Sequence, residues 1–140
     1  MIYLPDTNAF SAYLAGRSES LTARMAAAFS TGELRLSVMV LAELEFGAEK
    51  ARRQLGETRF VRRVEQLRKQ IEMEPIGESF PQCYAKVRNG LEGEGRKIGD
   101  RDTIIAAHAL SLGATMVTAN VDEFARIPGL TVENWDFPRA

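Results

Sequence analysis

Apolar residues in this chain follow two rhythms. Short, mostly apolar runs, Ile2-Tyr3-Leu4, Leu34-Arg35-Leu36, Ala114-Thr115-Met116-Val117-Thr118 and Leu130-Thr131-Val132-Glu133, have the length and bounding turn residues of buried strands. Between them the spacing lengthens to that of helices. Val40, Leu41, Leu44 and Ala48 recur at helical intervals behind Ser37, a good cap. After Gly56, the set Phe60, Val61, Val64, Leu67 and Ile71 marks a second amphipathic helix. Helices are also predicted over residues 9–14, 20–29 and 78–91, the last ended by Gly93 and Gly95. The segment RDTIIAAHALSLG is apolar nearly all round and closes at Gly113, and a short helical turn follows Asn120. Residues 73–76 suit a further strand, at an edge or irregular because of Pro75. Strands alternating with helices imply right-handed crossovers and a parallel sheet covered on both faces. No repeat, low-complexity tract or linker interrupts the pattern, so residues 1–140 read as a single α/β domain.

Composition fits this picture. A 140-residue chain that is 45% apolar and 26% charged is long enough for a real core and is not disordered. Its one cysteine, Cys83, excludes an internal disulfide framework and a cysteine-rich zinc site, and it reads as a small buried apolar side chain. A reducing cytoplasm is therefore the expected location. No stretch approaches the ~20 apolar residues of a membrane span, and Met1 leads directly into a strand, so a soluble, unprocessed protein is expected. The net charge of −1 argues against bulk electrostatic binding to nucleic acid. Its distribution is uneven, however. From Arg52 to Lys69, seven basic residues face only Glu57 and Glu65. A solvated helix face and a phosphate-binding surface explain this cluster equally well.

The candidate chemistry lies where strands end. Ile2-Tyr3-Leu4 stops at Pro5 and delivers Asp6-Thr7-Asn8. Ligands of open α/β sheets sit just past the carboxyl ends of strands, although Asp6 or Asn8, taken alone, reads more readily as a cap for the next helix. Glu43, in VMVLAELEFG, sits among apolar residues, where a charged side chain is costly without a partner. Asp100 and Asp102 fall where the apolar helix begins, and Asn120 and Asp122 follow the strand containing Val117. All these positions belong to one edge of a parallel sheet. Carboxylates gathered there would repel and raise one another's pKa unless a cation neutralised them. Oxygen-only donors select a hard ion, magnesium or manganese, over zinc, and such an ion favours attack of water on a phosphate ester.

DTN after a first strand, LAELEFGAEK, IGDRDTIIAAHAL, MVTANVDEF and LTVENW, in this order and spacing from Ile2 to Trp135, resemble the PIN-domain ribonucleases, specifically the VapC-type toxins of bacterial toxin–antitoxin pairs. The resemblance implies a three-layer α/β/α sandwich with a mostly parallel central sheet. It also implies a magnesium-dependent endoribonuclease leaving 5′-phosphate and 3′-hydroxyl ends, frequent homodimers, and inhibition by a small cognate antitoxin whose tail enters the active site. Residue by residue, the family's first acid falls on Asp6, with Thr7 as a neighbouring hydroxyl that steadies it or a water. The second falls on Glu43 and the third on Asp102. The fourth falls on Asn120, where this chain offers an amide instead of a carboxylate. Asp6, Glu43 and Asp102 are the expected metal ligands, and Asn120 completes the expected catalytic set. Asp100 stands where the family often has proline and reads as a helix cap. Asp122 could substitute for the fourth acid, but a first-turn acid favouring a helix N-terminus accounts for it better. Basic residues of the Arg52-to-Lys69 segment, or Arg96 and Lys97, would position the RNA backbone.

His108, the only histidine, lies six residues beyond Asp102, about 9 Å along a helix and on another face, so a packing or surface role is expected. Phe10, Tyr13, Phe46 and Phe60 suit core or dimer contacts, Trp135 suits a sheet edge, and Met39 and Met116 suit core filling. Two other classes remain open. One is a noncatalytic RNA-binding PIN-like module, with Asn120 marking a weakened site. The other is an α/β phosphatase or receiver-type domain, which commonly wants a lysine near its nucleophilic aspartate; none accompanies Asp6 locally.

Overall fold

Parallel strands form the middle of the molecule. In the computed structural model, which describes residues 1–136, β1 (Tyr3–Pro5) pairs with β4 (Thr115–Val117), Tyr3 opposite Thr115. The other edge of β4 pairs with β5 (Thr131–Glu133). On the far side of β1, β2 (Leu36–Ser37) pairs with β3 (Met73–Glu74). Tyr3 joins the two groups by pairing with Leu34: its N–H donates to the Glu33 carbonyl at 2.8 Å, and its carbonyl accepts from the Arg35 N–H at 3.0 Å. The resulting order is β3-β2-β1-β4-β5. From β1 the chain builds outward on one side and later returns to the other side with β4. Such a reversal opens a crevice at the carboxyl ends of the two central strands, where ligands bind in open α/β sheets. Residues 137–140, the tail of the expected domain span, lie outside the described residues.

The helices are α1 (Thr7–Ala15), α2 (Glu19–Ser30), α3 (Val38–Leu55), α4 (Arg59–Gln70), α5 (Phe80–Gly93), α6 (Asp100–Leu112) and the single turn α7 (Val121–Phe124). Their boundaries follow from local chemistry. Ser37 caps α3 by accepting the Met39 N–H at 3.2 Å, and Gly56, at a φ of 65°, ends that helix in the left-handed conformation glycine tolerates. Gly113 closes α6 in the same way. None of these helices is long and apolar enough to cross a membrane.

Helix α6 is central. Ile105, Ala106, Ala107, His108 and Ala109 are all buried, and the helix packs against α3, α5 and β4. Its small residues let those neighbours come close while Phe10, Leu36, Leu44, Met116 and Trp135 fill the surrounding core. Truncating one such leucine to alanine costs about 2–5 kcal/mol. Exposed ion pairs such as Arg52–Glu49 or Arg88–Glu92 are screened by water and contribute little. Apolar packing therefore positions α3 and α6, and with them Glu43 and Asp102.

Several expectations change. Cys83 is half-buried, not enclosed, because the α5 face that carries it is only partly covered. Phe46 is 63% exposed on α3, which removes the core half of its reading and leaves the dimer contact. Asp100 is the first residue of α6, with Gly99 in the cap position and no side-chain cap hydrogen bond. Its negative charge still favours the positive end of the helix without a cap bond.

His108 is fully buried, and its partners define its tautomer. The Pro75 carbonyl, 3.1 Å from Nε2, can only accept, so Nε2 carries the proton. Nδ1 then accepts the Ser37 hydroxyl proton at 2.9 Å, while Ser37 Oγ accepts the Met39 N–H. This relay ties α6 to the start of α3 and to the chain beyond β3. Burial holds the imidazole below its ordinary pKa of 6.5, against weaker opposing effects of the Pro75 carbonyl and Glu74. As pH falls through the ordinary value the unfolded chain takes up this proton first, so the histidine's contribution to stability is present above that pH and is lost below it. Urea midpoints of the native protein and His108→Gln, compared from about pH 7.5 to about pH 5.5, should show the native protein's advantage shrinking with acidification. A constant difference would count against the buried neutral histidine.

Candidate active site

The crevice between β1 and β4 holds the acidic residues. Asp6 directly follows β1, and its N–H donates to the Val117 carbonyl of β4 at 2.9 Å. Its side chain, 6% exposed, caps α1 through a 2.8 Å bond from the Ala9 N–H to Oδ1. Capping and site membership, alternatives at the level of sequence, coexist here. Asp6, Thr7, Asn8, Glu43, Gly99, Asp100, Arg101 and Asp102 line one open cleft. Glu43 reaches it from the second turn of α3, and Asp102 from the first turn of α6.

Its electrostatics are unfavourable as they stand. Burial pushes the Asp6 carboxyl above its usual range, and the Glu43 charge adds to this, while the Thr118 hydroxyl and the Ala9 N–H oppose it. Asp102 is raised by burial first, then by the charges of Asp6, Glu123 and Glu43, with Arg101 opposing. Thr7 donates its hydroxyl to Glu43 Oε1 at 2.9 Å, and Arg101 Nε stands 3.9 Å from Glu43 Oε2. Thr7 thus steadies the second acid. The hydroxyl beside Asp6 is that of Thr118, whose oxygen also accepts the Asn120 N–H at 3.0 Å.

The PIN-domain family model matches residues 3–130. The chain belongs to the PIN-domain family. Ribonuclease VapC2 of Rickettsia felis is 32% identical, with the match covering 97% of this chain and 99% of that protein. The tRNA(fMet)-specific endonuclease VapC of Salmonella typhimurium is 31% identical over 95% and 97% of the two chains. Among solved structures, that of VapBC2 from Rickettsia felis bound to a DNA fragment from their promoter superposes with a TM-score of 0.87 at 31% identity, covering 97% of this chain and 100% of the matched one. The DNA-bound VapBC structure from Salmonella typhimurium gives 0.85 at 29% identity, over 96% and 98%. The α/β fold with its parallel sheet is thus the expected PIN architecture.

Within this PIN domain the tertiary structure brings Asp6, Glu43 and Asp102 together and leaves Asn120 outside the cleft lining. The Asn120 amide instead donates to Glu123 Oε2 at 2.7 Å. Asp122 is exposed, while Glu123, one residue later, is half-buried and raises the Asp102 pKa. Glu123, also outside the cleft lining, is a charge acting on Asp102 that sequence reasoning did not single out. Its signal was the three-residue spacing from Asn120, which places both on one face of a helical turn.

PIN-domain nucleases generally depend on a divalent metal. Among the described residues no three carboxylate, imidazole or thiolate groups stand close enough to ligate one ion directly. The donor chemistry still fits a hard cation: all the acids are oxygen donors, two have raised pKa values, and one or two carboxylates plus water suffice for magnesium.

The double duty of Asp6 makes two substitutions separable. Asp6→Asn retains a capping oxygen and deletes one charge, so in EDTA near neutral pH its denaturation midpoint should equal or exceed the native value. Asp6→Ala loses the cap and should cost about 1 kcal/mol. Equal destabilisation by both would mean that the crowded charge carries no penalty.

Proposed function

We propose that this chain is a metal-dependent endoribonuclease of the VapC type, its residues 1–140 acting as a single PIN-like domain in the cytoplasm and neutralised by a small cognate antitoxin. The observation that carries the reading is the gathering of Asp6, Glu43 and Asp102 in one cleft at the switch point of the sheet. Relatives named as VapC ribonucleases, similar over nearly their whole length, support it.

One or two of Asp6, Asp102 and Glu43 would hold magnesium directly and the rest through water, with manganese as a substitute. When bound, the cation neutralises the cleft and promotes attack of water on the phosphodiester. Each side chain has its own task. Thr118 and the Ala9 N–H fix the Asp6 carboxylate, and Thr7 fixes Glu43. Asn120 acts at one remove, by holding Glu123 beside Asp102. Arg101, the one cation lining the cleft among the described residues, can turn from Glu43 to a phosphate oxygen of the substrate. An antitoxin arginine entering the cleft would make the same contact with Glu43 that Arg101 makes here. A homodimer is proposed on the same family grounds.

The phosphatase or receiver reading loses ground, since no lysine lines the cleft among the described residues. Purified protein should cleave RNA in magnesium and stop when EDTA is added. Asp6→Asn, Glu43→Gln and Asp102→Asn should each lower the rate by at least about a hundredfold, the scale of losing a group that stabilises transition-state charge. Full activity in Asp6→Asn, or in EDTA, would refute the site. Saturable magnesium binding without cleavage of any RNA would instead indicate a noncatalytic module.

A further inference from the structure

A second cavity, of about 240 Å³, opens beside the acidic cleft at the same strand ends. Asn8 lines both, so the two spaces adjoin at one side chain. Ala9, Ala12 and Leu21 supply apolar walls, and Val117 and Thr118 bring the end of β4 to its base. Polar groups edge it: Asn8, Arg17, Asn134 and Asp136. We propose that this cavity is a subsite for one unpaired nucleobase of the RNA, flanking the phosphate held in the acidic cleft. The proposal rests on the ribonuclease reading and deepens it.

A nucleobase suits the lining better than other parts of RNA. Its faces are flat and apolar and its edges carry donors and acceptors, which matches apolar walls under a polar rim. A phosphate would meet the Asp136 carboxylate and is disfavoured there. The Asn8 side chain is exposed and makes no hydrogen bond among the described residues, so its donor and acceptor are both available to a ligand. The Asn134 carbonyl oxygen is already engaged by the Asp136 N–H at 2.9 Å, which leaves its NH₂ group to donate. Arg17, exposed at the rim, can meet the adjoining phosphate. The position agrees with the sheet, because the crevice of a switch point extends across both central strands.

The test uses the full-length protein in magnesium and single-stranded RNA oligonucleotides with a mapped cut, each carrying one abasic nucleotide at a different position around it. In the native protein one abasic position next to the cut should lower kcat/KM about tenfold, within the range for losing one base contact. Ala12→Phe, which fills the cavity, and Asn8→Ala, which removes a polar edge without disturbing the core, should bring the ratio of intact to abasic substrate toward one. Native insensitivity at every position, or an unchanged ratio in both variants, overturns the subsite. If the native protein cleaves no RNA, the ribonuclease reading fails separately. The cavity is then judged by binding alone: fluorescence of 2-aminopurine-containing RNA should change with native protein and not with Ala12→Phe, and no change with either overturns it.

Discussion

Parallel pairing of β1 with β4 is the constraint on which the rest of this molecule depends. The bond between the Asp6 N–H and the Val117 carbonyl locks the carboxyl ends of two strands, more than a hundred residues apart in sequence, into one plane. Both strands then release their chains into the same crevice. Asp6 is placed by β1, Thr118 by β4, and the following helices begin at the edge where their polar first turns can reach the site. A different strand order would send these ends to separate parts of the surface.

That crevice stores electrostatic tension supported by the core. Burial and mutual repulsion raise Asp6 and Asp102, and the hydroxyls of Thr7 and Thr118 offset the cost only in part. The opposing support comes from apolar contacts, because α6 is buried nearly all round and cannot withdraw Asp102 without disrupting several neighbours. His108 contributes a polar tie to the same framework, linking α6 to the cap of α3 and so the helix of Asp102 to the helix of Glu43. A site built this way is prepared for a cation and for a polyanion held through it. Arg101 is the sign of that need within the chain itself, an exposed positive charge 3.9 Å from Glu43.

Where the family resemblance expects a fourth acid, this chain has the amide of Asn120. Asn120 leaves the site one carboxylate short in linear sequence; three residues on, α7 carries the half-buried Glu123, whose charge raises Asp102, and the exposed Asp122. Asn120 becomes the group that holds the acid.

Much of this was legible before any coordinates. Hydrophobic periodicity located the strands and helices to within a few residues, Ser37, Gly56 and Gly113 marked helix ends, and the order of Asp6, Glu43 and Asp102 carried the family resemblance. These are local properties, governed by backbone conformation and the spacing of apolar groups. Other features depend on groups distant in sequence and emerge only when the chain closes on itself: Thr7 facing Glu43, Thr118 facing Asp6, His108 between Ser37 and Pro75, and a cavity sharing Asn8 with the acidic cleft. Sequence by itself determined which residues could ionise, cap or pack; tertiary structure decided which of them would meet, because pKa, hydrogen bonding and enclosure are set by neighbours in space.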